Sequence, residues 1–400
     1  RAPLMRVLHA ADLHIGAPLR SQALRNPSLA DALRDHAEGV LSRLVEAARQ
    51  HQVDALLLAG DVFDTSALDV TRLTQLAGHL ARLGRAGIPT VLIRGNHDAL
   101  LDHERYGPLD ASVFLLDQDR PTVEIAGAAL HGIGFAARHV DESLLPRYPR
   151  AVPGRINIGL MHTSLGGAAG HDPYAPCAET DLLAHGYEYW ALGHIHRRAE
   201  YRAGRAVAVM PGIPQGRHIR EPGRGSATLA TVTRDGTELQ TVPIAGLAFE
   251  TVAIDLSSAE SQGARIAAIE SALSGLAQVD HRVAARLLLS GAPQLAAEPG
   301  LAHELAERAA EAVPGVAIDA VRFARTDPST APGPGEELAQ MMAEEAATPG
   351  FRDEAAELLA QWRNALPPEI GDTLDEASLD DLIAEGVSAV AARLAAGGAP

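Results

Sequence analysis

The chain has 400 residues, 46% of them hydrophobic, and a formal net charge of −17. One cysteine, Cys177, excludes an intramolecular disulfide framework. No apolar run approaches membrane-spanning length, so a cytoplasmic protein without a leader peptide or a membrane partner is expected. The size allows a main core with one or two smaller modules, and the acidic balance argues against a polyanionic partner unless charge is unevenly placed.

Strand patterns alternate with helix patterns from residue 4 to about 245. The run VLHAADLH reads as a strand. Asn26, Pro27 and Ser28 then signal the start of a helix reaching about Gln50, with Leu29, Leu33, Val40, Leu41, Leu44 and Val45 on one side. ALLLAGDVFD follows as a strand, a helix covers roughly Ala67 to Arg85, and TVLIRGNHD is the next strand. Beyond Leu109 the strands shorten and alternate, and PTVEIAGAALHGIGF predicts antiparallel pairing around Ala126 and Gly127. NIGLMHT, YWALGHIH and three closing strands complete a mixed, two-sheet α/β domain over residues 1–247. Strand, helix, strand, helix, strand then gives a small α+β module over 248–326. A Pro- and Gly-dense linker occupies 327–336. An acidic, Ala-rich helical region fills 337–400, with Leu358, Leu359 and Trp362 and later Leu379, Leu382 and Ile383 at helical spacing.

Five of these apolar runs end in metal-loving residues: Asp12 and His14, Asp61 and Asp64, Asn96 with His97 and Asp98, His162, and His194 with His196. Short runs rich in Val, Leu and Ile are strands buried on both faces, so their ends gather along one sheet edge and distant segments share one site. Carboxylates, imidazoles and one amide delivered together are the donors two divalent ions take. One ion is expected on Asp12, His14, Asp61 and His196, the other on Asp61, Asn96, His162 and His194, with Asp61 bridging through its two oxygens. Two such ions clamp a phosphate ester and bring a bridging water towards a neutral pKa. His97, beside Asn96, has the titration range to protonate a leaving oxygen, and Asp98 and Asp64 are candidate orienters of imidazoles.

Taken singly these residues are weak signals, since a lone histidine is more often packed and an Asp beside glycine more often forms a turn. The ordered set of five outweighs that reading. His9 and His131 are expected in or near the core, and His36, His51, His79, His281 and His303 at the surface. Charge is also uneven. Residues 331–400 hold three Arg against fourteen Asp and Glu, a balance of −11, whereas residues 194–226 hold seven Arg against two Glu, a balance of +5. The basic window starts where the last motif ends, which makes Arg94, Arg197, Arg198, Arg217, His218 and Arg220 candidates for phosphate binding. The competing explanation is an ordinary solvated face, because every basic residue in this chain is Arg.

Residues 5 to about 220 resemble the calcineurin-like metallophosphoesterases through the D-x-H, GDxxD, GNHD, lone-His and GHxH motifs at the positions above. The strings HAADLHIG, LLLAGDVFD, RGNHD and LGHIH are similar to SbcD-type nuclease subunits. GLMHTSLGG, HDPYAPC, GYEYWALGHIHRR and PGIPQGRHIREPG are similar to YhaO-type bacterial DNA repair exonucleases. The resemblance implies an α/β/β/α sandwich with a small α+β capping domain. It also implies manganese as the first choice of metal, with Mg2+, Fe2+ and Zn2+ as alternatives, DNA as substrate and a coiled-coil ATPase partner of the SbcC/YhaN type. His97 matches the family's catalytic histidine. A homodimer stays open. Two other functions compete: a phosphodiesterase or phosphatase for a small nucleotide or a phosphoprotein, and a non-catalytic scaffold braced by metals.

Overall fold

The structure is a computed structural model that describes residues 3–17, 26–64, 70–101, 109–166, 174–278, 280–324, 341–365 and positions 379, 382, 383, 386, 387 and 390. The linker expected at 327–336, the HDP of HDPYAPC and residues 366–378 lie outside these. The chain divides into two compact units, residues 1–18 with 33–248, and residues 19–32 with 249–400.

The first unit is built on two six-stranded sheets. One has the order β12 (Thr237–Pro243), β11 (Ser226–Thr233), β1 (Leu4–Ala10), β2 (Ala55–Ala59), β3 (Thr90–Ile93), β4 (Val113–Leu115). The other has the order β5 (Thr122–Ile125), β6 (Ala128–Gly132), β7 (Ile156–His162), β8 (Tyr189–Gly193), β10 (Ala206–Met210), β9 (Ala199–Ala203). Strands β1 to β4 run parallel, as do β6, β7, β8 and β10. The period of two along each buried strand explains the layering. Val7, Leu57 and Val91 of one sheet pack with Ile158, Leu160 and Ala191 of the other. Their neighbours Leu8, Leu56, Leu58 and Leu92 face outward with Leu44 of α2 (Val40–Gln50) and Leu76 and Leu80 of α3 (Val70–Arg85). Trp190 and Leu192 cover the far side of the second sheet with Leu182 of α4 (Glu179–Ala184). The result is the two-sheet α/β/β/α sandwich.

The hairpin expected at Ala126 and Gly127 joins β5 to β6, both turn residues carrying positive φ. The helix expected from residue 26 to 50 is two: α1 (Pro27–Glu38) and α2 meet at Gly39. The Arg43 guanidinium lies 2.7 Å from where a Cβ on Gly39 would sit, and Arg43 Nη2 donates to the His36 carbonyl at 2.6 Å. That carbonyl is the one Val40 N–H would use in an unbroken helix. His9 and His131 are buried as expected. His36, His51, His79 and His281 are half-buried, and His303 is exposed.

In the second unit, β13 (Leu247–Asp255), β14 (Arg282–Ser290) and β15 (Val316–Phe323) form a three-stranded sheet, with β14 and β15 parallel. Helices α5 (Gln262–Ser274), α6 (Pro293–Ala297) and α7 (Pro299–Ala310) supply Ile269, Leu273, Leu295, Leu305 and Ala309 to a core with Leu287, Leu289 and Ile318. Asn26 accepts the Leu29 N–H at 3.0 Å as an N-cap and donates to the Ile318 carbonyl at 3.1 Å. In α8 (Pro349–Ala365), Leu359 is buried while Leu358 and Trp362 are 46% and 53% exposed. No helix of the described residues is long and apolar enough to cross a membrane.

Candidate metal centre

Because β1, β2 and β3 are parallel neighbours, as are β7 and β8, their C-terminal ends fall on one edge of each sheet. The loops leaving them are laced by backbone bonds: Asp12 N–H to Gly60 O at 3.1 Å, His14 N–H to Asp61 O at 3.0 Å and Ile15 N–H to Val62 O at 3.0 Å. Asp12, His14, Asp61 and His194 carry φ of 57°, 45°, 51° and 101°. Such backbone costs a residue with a Cβ about 1–3 kcal/mol and is held only where its surroundings over-determine it. Gly95 is required for a different reason, close approach: a Cβ there would run into Asp61 Oδ1.

Asp61 sits at the middle of the site, buried. Its Oδ1 accepts the His97 backbone N–H at 2.9 Å, while Oδ2 lies 3.4 Å from His162 Nε2 and 3.9 Å from His14 Nε2. One oxygen, Oδ2, faces both imidazoles, and the other is spent on the loop after β3.

His162 donates its Nδ1–H to the Ala59 carbonyl at 2.9 Å, which leaves Nε2 with the lone pair. That lone pair faces Asn96 Oδ1 at 3.1 Å and Asp61 Oδ2 at 3.4 Å. Three acceptor atoms converging without a hydrogen repel one another unless a cation or an extra proton lies among them. Burial lowers the His162 pKa, but the Asp61 carboxylate outweighs it and raises the imidazole to about 9.

Asp12 accepts the His194 N–H with both oxygens, at 3.1 and 3.0 Å. Burial pushes its carboxyl above the usual range and holds His14 well below the usual imidazole range. His14 Nε2 lies 3.2 Å from His196 Nε2, and His14 Nδ1 is buried with no hydrogen-bond partner among the described residues. Three trios have ligand atoms within 4.8 Å of one another: Asp12, His14 and His196; Asp12, Asp61 and His162; His14, Asp64 and His97. A buried set of hard oxygens and borderline nitrogens, short of positive charge, fits divalent first-row ions. His194 lies outside these trios, its ring edge-on to His162 with centroids 5.2 Å apart.

His97 is brought to the edge of the cluster, its side chain 42% exposed and its ring edge-on to His14 at 4.7 Å. Asp64 Oδ2 lies 3.7 Å from His97 Nδ1. Asp98 bonds elsewhere. It is buried and accepts from Gly95 N–H at 2.7 Å and Val62 N–H at 2.8 Å, tying the loops after β2 and β3 together rather than orienting an imidazole. Burial first and the Asp61 charge second raise its pKa to about 7, against those amide bonds.

The basic candidates separate. Arg217 Nη2 lies 3.3 Å from His196 Nδ1, and His218 is half-buried beside it. Arg197 and Arg220 are exposed, and Arg94 is half-buried in the loop after β3. Arg198 is not gathered with them, because its guanidinium donates to Thr228 Oγ1 and, at 2.7 Å, to Glu200. One residue at the site was missed. Glu221 is buried to 5% side-chain exposure and accepts from His196 Nδ1 at 2.7 Å and from the Arg217 N–H at 2.7 Å. In the sequence it counts only as charge within the Arg-rich window, although Arg217 and Glu221 stand at the i, i+4 spacing of a local pair.

The fold and the donor set define a metal-dependent phosphoesterase, and the model of the calcineurin-like phosphoesterases matches residues 5–198. The chain is 30% identical over 311 residues to the uncharacterized metallophosphoesterase YhaO of Bacillus subtilis, covering 75% of this chain and 76% of that one. This chain belongs to the calcineurin-like phosphoesterases, hydrolases of phosphoester bonds that use divalent metal ions. It is also 29% identical over 205 residues to the DNA double-strand break repair protein Mre11 of Saccharolobus solfataricus, covering 49% of this chain and 50% of that one. Over 96 residues it is 34% identical to the SbcD nuclease subunit of Escherichia coli, covering 24% of this chain and 22% of that one.

Proposed function

We propose that this protein is a two-metal phosphodiesterase that acts on DNA as a repair exonuclease, with endonuclease cutting as a variant of the same chemistry. The observation that carries the reading is the convergence of Asp12, His14, Asp61, Asn96, His162 and His196 from five strand ends. One ion is assigned to Asp12, His14, Asp61 and His196, the other to Asp61, Asn96, His162 and His194. Two divalent cations held there, Mn2+ first, with Mg2+, Fe2+ and Zn2+ as alternatives, would supply Lewis-acid contacts to phosphoryl oxygens and a bound water whose pKa lies near neutrality.

The chain supplies the remaining steps. Asp61 Oδ2 spans the two donor sets, and the Ala59 carbonyl keeps the His162 Nε2 lone pair aimed inward. His97, half-exposed and anchored through its backbone to Asp61, gives a ring proton to the leaving oxygen, with Asp64 steadying its Nδ1. Arg217 faces incoming phosphate, and Arg94, Arg197, His218 and Arg220 extend that approach.

DNA as substrate is supported by the break-repair and nuclease relatives and by the basic window over 194–226. The net charge of −17 favours a small phosphodiester or nucleotide, or a phosphoprotein, as the second reading. Residues 248–326 act as a capping module for DNA access, and the acidic region 337–400 docks a coiled-coil ATPase of the SbcC/YhaN type in the cytoplasm. The test is end-labelled linear DNA alongside bis-p-nitrophenyl phosphate, both with Mn2+. Turnover of both is expected. Ester hydrolysis without DNA turnover, even with the ATPase supplied, moves the assignment to the small-substrate reading, and no turnover of either contradicts both.

A further inference from the structure

We propose that Glu221 is a positioning residue for the metal centre, setting the affinity of one of its two ions through the His196 imidazole. The inference rests on the two-ion reading of the site and names a device within it.

Glu221 lies in the segment after β10, and its carboxylate is enclosed, with 5% side-chain exposure. Oε1 takes the His196 Nδ1–H at 2.7 Å, and Oε2 takes the Arg217 backbone N–H at 2.7 Å. Both oxygens are thus occupied by donors that fix its orientation. The bond to Nδ1 leaves the lone pair on Nε2, the nitrogen that lies 3.2 Å from His14 Nε2 and belongs to the trio with Asp12. A carboxylate behind a ligand imidazole holds the ring's tautomer and angle and makes its far nitrogen a stronger donor.

The imidazoles facing the cluster are not backed alike. His162 leans on a neutral carbonyl, Ala59 O, at 2.9 Å, and His14 Nδ1 has no hydrogen-bond partner among the described residues. Of these three, His196 has a charged support. The two donor sets therefore differ in how strongly the protein reinforces them, and loss of Glu221 should be felt at the Asp12, His14, His196 set.

Charge points the same way. The Arg217 guanidinium lies 3.3 Å from His196 Nδ1 and 3.1 Å from Glu221 Oε1, so a fixed cation stands beside a site that must accept dications. Glu221 balances it locally. Without that carboxylate, the Arg217 guanidinium would oppose the binding of a dication at the His196 set.

The test is Mn2+ titration by calorimetry and by EPR of free Mn2+ on the full chain, comparing wild type, Glu221→Gln and Glu221→Ala, with circular dichroism as a check of folding. Wild type is expected to take two ions. Glu221→Ala should weaken one of them by about 10–100-fold and leave the other within about twofold. Glu221→Gln, which keeps an acceptor for Nδ1–H and loses the charge, should fall between. Hydrolysis of bis-p-nitrophenyl phosphate by both variants should recover as Mn2+ is raised, with kcat restored. A role confined to bracing the 217–221 turn would lower the denaturation midpoint without separating the two affinities. Two unchanged ions in Glu221→Gln and Glu221→Ala, or an equal loss of both, would overturn the proposal while leaving the metal centre standing. A wild type that binds no Mn2+ would remove both.

Discussion

At the scale of single residues, the proposed function divides the site into side chains that would hold ions and side chains that would act beside them. His97 belongs to the second group, being half-exposed and tied to Asp61 through its backbone rather than its ring. His97→Ala should therefore keep two Mn2+ per chain while losing about 10²–10⁴ in turnover of a phosphodiester. Metal analysis together with initial rates decides it, and an empty site in the variant would remove the proton-donor role. His9 carries a different prediction. Tyr189 O–H donates to its Nδ1, and its Nε2–H donates to the Leu192 carbonyl, each at 2.9 Å. Burial holds this imidazole neutral, with a pKa lowered from 6.5 to about 3. The unfolded chain takes up a proton below pH 6.5 and the folded one does not, so this stability is complete above 6.5 and falls as pH drops towards 3. The slope is about 1.4 kcal/mol per pH unit for one proton. Denaturant midpoints at pH 7.5 and 5.5 should separate for wild type more than for His9→Gln. An identical separation in the two proteins would contradict a buried neutral His9.

At the scale of elements, glycines mark where strands and loops approach too closely for a side chain. A Cβ on Gly95 meets Asp61, and one on Gly159 meets the indole of Trp190 on the far side of the second sheet. Gly95→Ala should reduce Mn2+ affinity. Gly159→Ala should cost stability, about 1–3 kcal/mol, with metal content unchanged. The reverse pattern would mean that Gly95 and Gly159 are not packed where the fold puts them. Such closeness is also why the site was legible in part. The strands could be read because Leu56, Leu57 and Leu58, or Tyr189, Trp190 and Ala191, are continuous apolar runs that only a strand covered on both faces explains. Their polar ends then had to share an edge. The break at Gly39 was not legible, since it depends on Arg43 folding back onto His36, a bond that helical periodicity does not encode. Nor was the use of Asp98 as a loop clamp, because an acid after GNH reads alike whether it meets an imidazole or backbone amides. Glu221 was hidden for a related reason: it acts through His196, and its own string carries no metal-ligand spacing.

At the scale of the whole molecule, charge is the tension to be resolved, since the chain carries −17 overall and a basic stretch beside the metal cluster. If DNA is the substrate, its turnover should fall steeply between about 50 and 200 mM salt while hydrolysis of bis-p-nitrophenyl phosphate changes little. Parallel decline of the two would place the salt effect on the metal centre instead. Removal of the region after Pro332 should leave small-ester hydrolysis intact and abolish association with the ATPase, and undiminished complex formation would move the docking surface elsewhere. Beneath both lies the proposed pair of ions. Anomalous diffraction from crystals grown with Mn2+ should give two peaks about 4 Å apart, with Asp61 Oδ2 between them and the His162 and His196 imidazoles on opposite ions. A single peak, or two that leave Asp61 untouched, would contradict a phosphodiesterase centre built from these strand ends.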